Sequence, residues 1–169
     1  MLIYDPSLDP NHYIFRLLRI VSSIEGGEIE VDKYRILDFY LLYPSALAKF
    51  RLPESSASNI KKAKKIIENK YNLINSPNFH FRKIEDFQKA AMWHLALLGF
   101  LNKEKLETGI LKRADKRLAG ELEERVSINK SYLDEIESFI LSGALELPLL
   151  GKNGLKDRSG LMEYKYDTV

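Results

Sequence analysis

Residues 149–154, LLGKNG, set a lysine between two glycines, the residue types of a loop that wraps a phosphate. That chemistry needs another glycine separated from the Gly-Lys pair by four residues, and a serine or threonine next to hold magnesium. Here Gly143 lies too far from Gly151, and Asn153 follows Lys152, so the pattern fails. His12, His80 and His94 stand far apart, without the spacing of a metal-ligand set. His94 falls in an apolar run and reads as a core histidine. Asp5 and Asp9 in DPSLDP resemble a carboxylate pair, but aspartates beside prolines are explained by Asx turns. No local Ser/His/Asp grouping is present, and the chain has no cysteine for thiol chemistry, thiolate metal sites or disulfides. We therefore expect no enzyme, no metal and no cofactor.

A different constellation stands out in NHYIFRLLRIVSSI, residues 11–24. His12, Arg16, Arg19 and Ser23 fall at helical steps and form one narrow polar ridge on an otherwise apolar cylinder. Cations among apolar neighbours need partners, because an unpaired buried charge costs several kcal/mol. The partner is either an acid of this chain, Asp38 or Glu28, or an acidic patch on another subunit.

The elements that must position these residues are mostly helices. Asn11 can cap a helix through about Ile24, stopped by Gly26 and Gly27. Asp32 can cap a second helix through Tyr43, stopped by Pro44. A third, basic helix runs from Pro53 to about Leu73, a loop covers 75–78, and a fourth helix runs from about Ile84 to Leu98. Phe100–Leu101 and Gly109–Leu111 form a proposed hairpin. Residues 115–126 read weakly as helix, a further helix runs from Asn129 or Ser131 to Leu141, and a glycine-rich tail follows in which MEYKYD can add a strand. The fold class is mainly α (α+β). A winged-helix-like domain over 31–114 is preceded by a strand and helix over 1–30 and followed by a helical extension and tail over 115–169.

Whether the wing reads DNA turns on the fourth helix, IEDFQKAAMWHLALL. Base edges call for Arg, Lys, Asn or Gln on the exposed face. Here the polar residues crowd the first turns, the two acids repel phosphate, and the second half is almost wholly apolar. Lys103, Lys105, Lys112 and Arg113 near the hairpin, and Lys61 and Lys65 in the basic helix, remain as candidate non-specific contacts to nucleic acid. A solvated helix face accounts for Lys61 and Lys65 equally well. The net charge of +2 is low for a protein that grips a phosphate backbone.

Apolar surface is in excess. The first, second and fourth helices each carry apolar residues around most of their circumference, whereas much of a small domain's helical surface must face water. The surplus predicts an obligate subunit that lends apolar surface to neighbours. Tyr34, Tyr40, Met92 and Trp93, with His12, Arg16 and Arg19, are the candidate partner-binding residues. No apolar run reaches transmembrane length, and the N-terminus lacks the apolar stretch of a signal peptide. With no cysteine, the expected compartment is cytoplasmic.

The runs DPSLDPNHYIFRLLRI and YRILDFYLLYP, with the basic helix and AAMWHLALLGFLNKEKLETGIL, resemble the middle component of ABC three-component bacterial conflict systems. The small accessory subunit of Lamassu-type antiphage defence looks like the same group. The resemblance spans most of residues 1–113. It implies a non-catalytic, winged-helix-bearing adaptor between an SMC/Rad50-like ABC ATPase and an effector, often a nuclease. Asp9, Pro10, His12, Phe15 and Arg16 match the first run, and Arg35, Asp38 and Pro44 the second, as structural or interface residues. The rival expectation, from a different class, is a winged-helix transcription regulator that binds DNA as a homodimer.

Overall fold

Asp9, rather than Asn11, starts the first helix. A computed structural model describes residues 9–24, 26–51, 74–126, 138 and 140–163. In it the Asp9 carboxylate accepts the Asn11 backbone N–H at 2.9 Å, and Pro10 takes the first helical position, where its missing N–H costs nothing. Helix α1 (Pro10–Ser22) buries Tyr13, Leu17, Leu18, Ile20 and Val21. The Ser23 hydroxyl closes the helix on the Ile20 carbonyl at 2.7 Å. Gly26 and Gly27, at φ of 81° and 64°, then turn the chain into strand β1 (Glu28–Glu30).

Helix α2 (Val31–Leu42) is enclosed on every side from Tyr34 to Tyr40. Seven consecutive residues are two full turns, so this is the helix at the centre of the core, and its all-round apolar sequence needs no second chain. The Phe39 ring meets those of Tyr40, Tyr43 and Phe81 at centroid separations of 5.4, 5.3 and 5.6 Å. Pro44 ends the helix and opens a 3-10 turn (Pro44–Lys49).

The expected loop at 75–78 is shorter than its Asn, Ser and Pro content suggests. Pro77 occupies the first position of helix α3 (Pro77–Lys83), and Ile84 alone separates it from α4 (Glu85–Leu97). Proline at a helix start is as natural as in a loop. Gly99, at φ 77°, ends α4.

The expected hairpin does not form as drawn. Asn102 caps a single helical turn, α5 (Lys103–Glu107), its side chain accepting the Lys105 N–H at 2.9 Å. Lys, Glu and Leu are strong helix formers, and the Asn cap outweighs the weak β preference of the flanks. Leu101 keeps one bridge to Arg113, while strand β2 (Ile110–Lys112) pairs antiparallel with β1, Ile29 opposite Leu111. Both of those side chains are buried, and Glu28 and Lys112 form the outward pair. The described residues are thus mainly helical, with one small two-stranded sheet.

Helix α6 (Gly120–Val126) packs on α1, and after a π-turn (Ile140–Ala144) the short α7 (Leu155–Ser159) packs on α2. The glycine-rich tail is knitted rather than open. Leu155 N–H donates to the Pro148 carbonyl at 2.7 Å, and Arg51 N–H to the Arg158 carbonyl at 3.1 Å. Gly154 is required there: a Cβ would lie 2.4 Å from the Leu150 carbonyl oxygen. In the Lys152 loop the Asn153 N–H donates to Asp157 Oδ2 at 3.0 Å. The basic third helix with Lys61 and Lys65, the start of the helix at 129 or 131, MLIY and most of MEYKYD lie outside the described residues.

Candidate partner-docking surface

Arg16 finds its partner within the chain. Its Nε donates to Asp38 Oδ1 at 2.5 Å, its Nη2 lies 3.4 Å from Oδ2, and its guanidinium covers the Tyr13 ring at 4.5 Å. Asp38, fully buried, also accepts Gln88 Nε2 at 2.8 Å. The same Gln88 amide donates to the Arg35 carbonyl at 3.1 Å, and Arg35 Nε donates back to Gln88 Oε1 at 3.3 Å. Arg35 then pairs with Glu85 at 2.9 Å, and Glu85 with Lys89 at 2.5 Å. One chain of charge-assisted bonds thus ties α1, α2 and α4 together. Burial by itself would lower the Arg16 pKa, but the charge and hydrogen bond of Asp38 carry it upward. The Lys89 hydrogen bond, aided by Arg35, holds Glu85 below the usual carboxylate range.

This arrangement corrects the candidate contact residues. Tyr34, Tyr40 and Met92 are interior, covered by the chain's own core, and present no surface to a partner in this conformation. Arg16 is turned toward Asp38, which takes the in-chain alternative of the two that its sequence leaves open. His12 stays exposed, and Arg19 lies 5.9 Å over the Phe15 ring. The Tyr34 hydroxyl has no hydrogen-bond partner among the described residues, and burial pushes its pKa well up, with Asp38 adding to the effect. Tyr34→Phe is therefore expected to be neutral or to stabilise by up to about 1 kcal/mol. Urea melts of the two proteins check this; a clear loss of stability would mean that the hydroxyl is bonded.

The four candidate nucleic-acid contacts around β2 and α5 each lie beside an acid, with Lys105 and Lys112 sharing one. Glu28 receives Lys112 at 2.8 Å and Lys105 at 3.5 Å, and Lys103 sits 3.9 Å from Glu107. Arg113 is clamped by Glu123 and also donates to the Ser22 hydroxyl at 3.0 Å. Lys112 holds Glu28 below its ordinary range by hydrogen bond, and Arg113 does the same for Glu123. A phosphate approaching here would compete with carboxylates already in place.

Exposed apolar surface concentrates on α4. Its inner face, Ala91, Met92, Leu95 and Ala96, is buried. Its outer face runs Ala90, Trp93, His94, Leu97 and Leu98, all exposed, with Leu97 at 75%, Leu98 at 45% and Trp93 at 39%. These positions recur at i, i+3, i+4, i+7 and i+8, so the helix carries two apolar stripes on different sides. Reading base edges would call for donors and acceptors on that outer stripe, where the His94 imidazole and the Trp93 indole N–H supply the polar atoms. Leu97 and Leu98 did not emerge from the sequence as contacts. The signal was present: a helix apolar at 91, 92, 95 and 96 that is also apolar at 90, 93, 97 and 98 has one stripe more than a core needs.

Residues 2–167 match the family described as ABC-three component (ABC-3C) system Middle Component 5. The chain belongs to that family. No curated protein matches it, and no solved structure does. The middle component is one part of a three-component system, so a surface for other subunits is what its context calls for, and an accessory place in a conflict system follows from the family. Among its described residues no group of three or more His, Asp or Glu side chains gathers as a metal site. No described helix is long and apolar enough to cross a membrane.

Proposed function

We propose that this middle component is a non-catalytic, cytoplasmic adaptor that joins an SMC/Rad50-like ABC ATPase to a nuclease-like effector in antiphage defence of the Lamassu type. The observation that carries the reading is the outer stripe of α4. Large apolar side chains are exposed on the helix that, in a DNA reader of this helical order, would enter the groove. Its action would be steric and conformational: it restrains the effector, and the ATPase state shifts the balance toward release. Asp38, the most deeply buried carboxylate in the helical network, has both oxygens occupied by Arg16 and Gln88, which favours a structural role over a catalytic one.

Expression of the complete system with a tag on this chain tests the proposal. The chain should bring down two larger proteins, and on its own should bind duplex DNA weakly and with no sequence preference across a salt titration. Tight, sequence-selective binding by the isolated chain, with no co-purifying subunits, would instead establish the homodimeric regulator.

A further inference from the structure

Helices α3 and α4 make one exposed ridge. Ile84, the single residue between them, donates its N–H to the His80 carbonyl at 3.2 Å and accepts the Gln88 N–H at 3.0 Å, so hydrogen bonds of helical span link the two. Phe79, Arg82, Lys83, Asp86, Lys89, Ala90, Trp93, His94, Leu97 and Leu98 are all exposed, and they follow one another at steps that average to the helical repeat. At 1.5 Å per residue such a stripe runs for up to about 30 Å.

Its two ends differ in chemistry. The Leu97 end is apolar, with Ala90 as the small residue beside Trp93, leaving room for a large side chain from outside. About four turns N-terminal to Leu97, Arg82 and Lys83 stand side by side. Lys89 is already paired with Glu85. Neither Arg82 nor Lys83 forms an ion pair among the described residues, in contrast to Lys103, Lys105, Lys112 and Arg113, each of which has an acid. Asp86 on the same stripe offsets only part of this charge.

From this pattern we infer that the α3–α4 ridge receives an amphipathic helix of a partner subunit, with large apolar residues seated between Ala90, Trp93 and Leu97 and acidic residues about three turns away facing Arg82 and Lys83. A helix fits because ridges at the 3.6-residue repeat interlock with the same ridges on another helix. Apolar anchors set the affinity, and the cation pair sets register and direction, since an acid-bearing helix laid down in the reverse sense would leave both cations unmatched. This inference rests on the adaptor reading and adds the chemistry of the partner to it.

The test places a photo-crosslinking amino acid at position 83 or 97 of the full chain, co-expressed with the other two components, and maps the crosslinked peptides. Both positions should reach one helical segment of one partner, position 97 near Leu, Ile, Val or Met and position 83 near Glu or Asp. The double reversal R82E/K83E should weaken assembly roughly tenfold, with a loss that shrinks as salt is raised, and should leave the thermal melt of the isolated chain in place. Crosslinks to a second copy of this chain, to nucleic acid, or to a segment without acids overturn the inference. So does assembly with no crosslink at either position, and in that case the adaptor reading stands. If the unmodified chain brings down no other subunit, both fail.

Discussion

Asp38→Ala is expected to lower stability by about 3–5 kcal/mol, the usual cost of removing one partner from a buried ion pair. Asp38 sits where three helices meet, with Arg16 from α1 on one side and Gln88 from α4 on the other. Its removal leaves the part-buried Arg16 guanidinium without a counter-charge and leaves one Gln88 amide proton without that acceptor. Since domains of this kind are stable by about 5–15 kcal/mol, much of the margin disappears. Urea denaturation measures the change directly. The double replacement Arg16→Met, Asp38→Leu supplies the control. With both charges gone the desolvation penalty goes too, so it should recover a large part of the loss. A double variant as unstable as Asp38→Ala would show that packing at position 38, not the charge pair, carries the energy.

The sequence exposed local features of this network but not its connectivity. Arg16 in an apolar helix announces that an acid must be near it, and Asp38 is one of two acids that suit. The link from Asp38 to Gln88 spans fifty positions of chain. No periodicity reports a contact of that range; it exists only once α1 packs on both α2 and α4. The same limit explains Tyr34, Tyr40 and Met92. Composition shows that the chain has more apolar surface than isolated amphipathic helices can hide. It does not show which helix takes the centre, and α2 does so completely. Among the described residues the exposed large apolar side chains are then those of the outer stripe of α4, with Phe79 on α3 and Leu122 on α6.

Other differences are local contests between signals. Around Leu101, alternating β-prone residues and glycines suggest a hairpin, while Asn102 before Lys-Glu-Lys-Leu-Glu is a capped helical turn. The cap prevails because it satisfies a backbone N–H at once, whereas the hairpin would have to close a seven-residue gap from Asn102 to Thr108. Glycines in the tail suggest open loop. At Gly154 the residue instead marks a tight turn in which the chain folds back on its own Pro148 and Leu150 carbonyls.

Leu97→Lys separates the fold of this chain from its assembly more cleanly than any other single change. Leu97 is 75% exposed in the last turn of α4, so the isolated chain gives up little buried area. Lysine matches leucine in helix propensity, and a cation near a helix C-terminus is favoured by the helix dipole, so the melt should move by no more than about 0.5 kcal/mol. In the complex the same position would be surrounded by apolar side chains, where an ammonium group without a partner is costly. Interface anchors of this type are worth about 2 kcal/mol or more, which corresponds to at least ~30-fold in Kd. Leu97→Ala should fall between the two, having lost contact area without gaining charge. Co-purification and a titration of the purified components read both variants against the unmodified chain. Full assembly by Leu97→Lys would remove the outer stripe of α4 from the interface, whatever else the middle component binds.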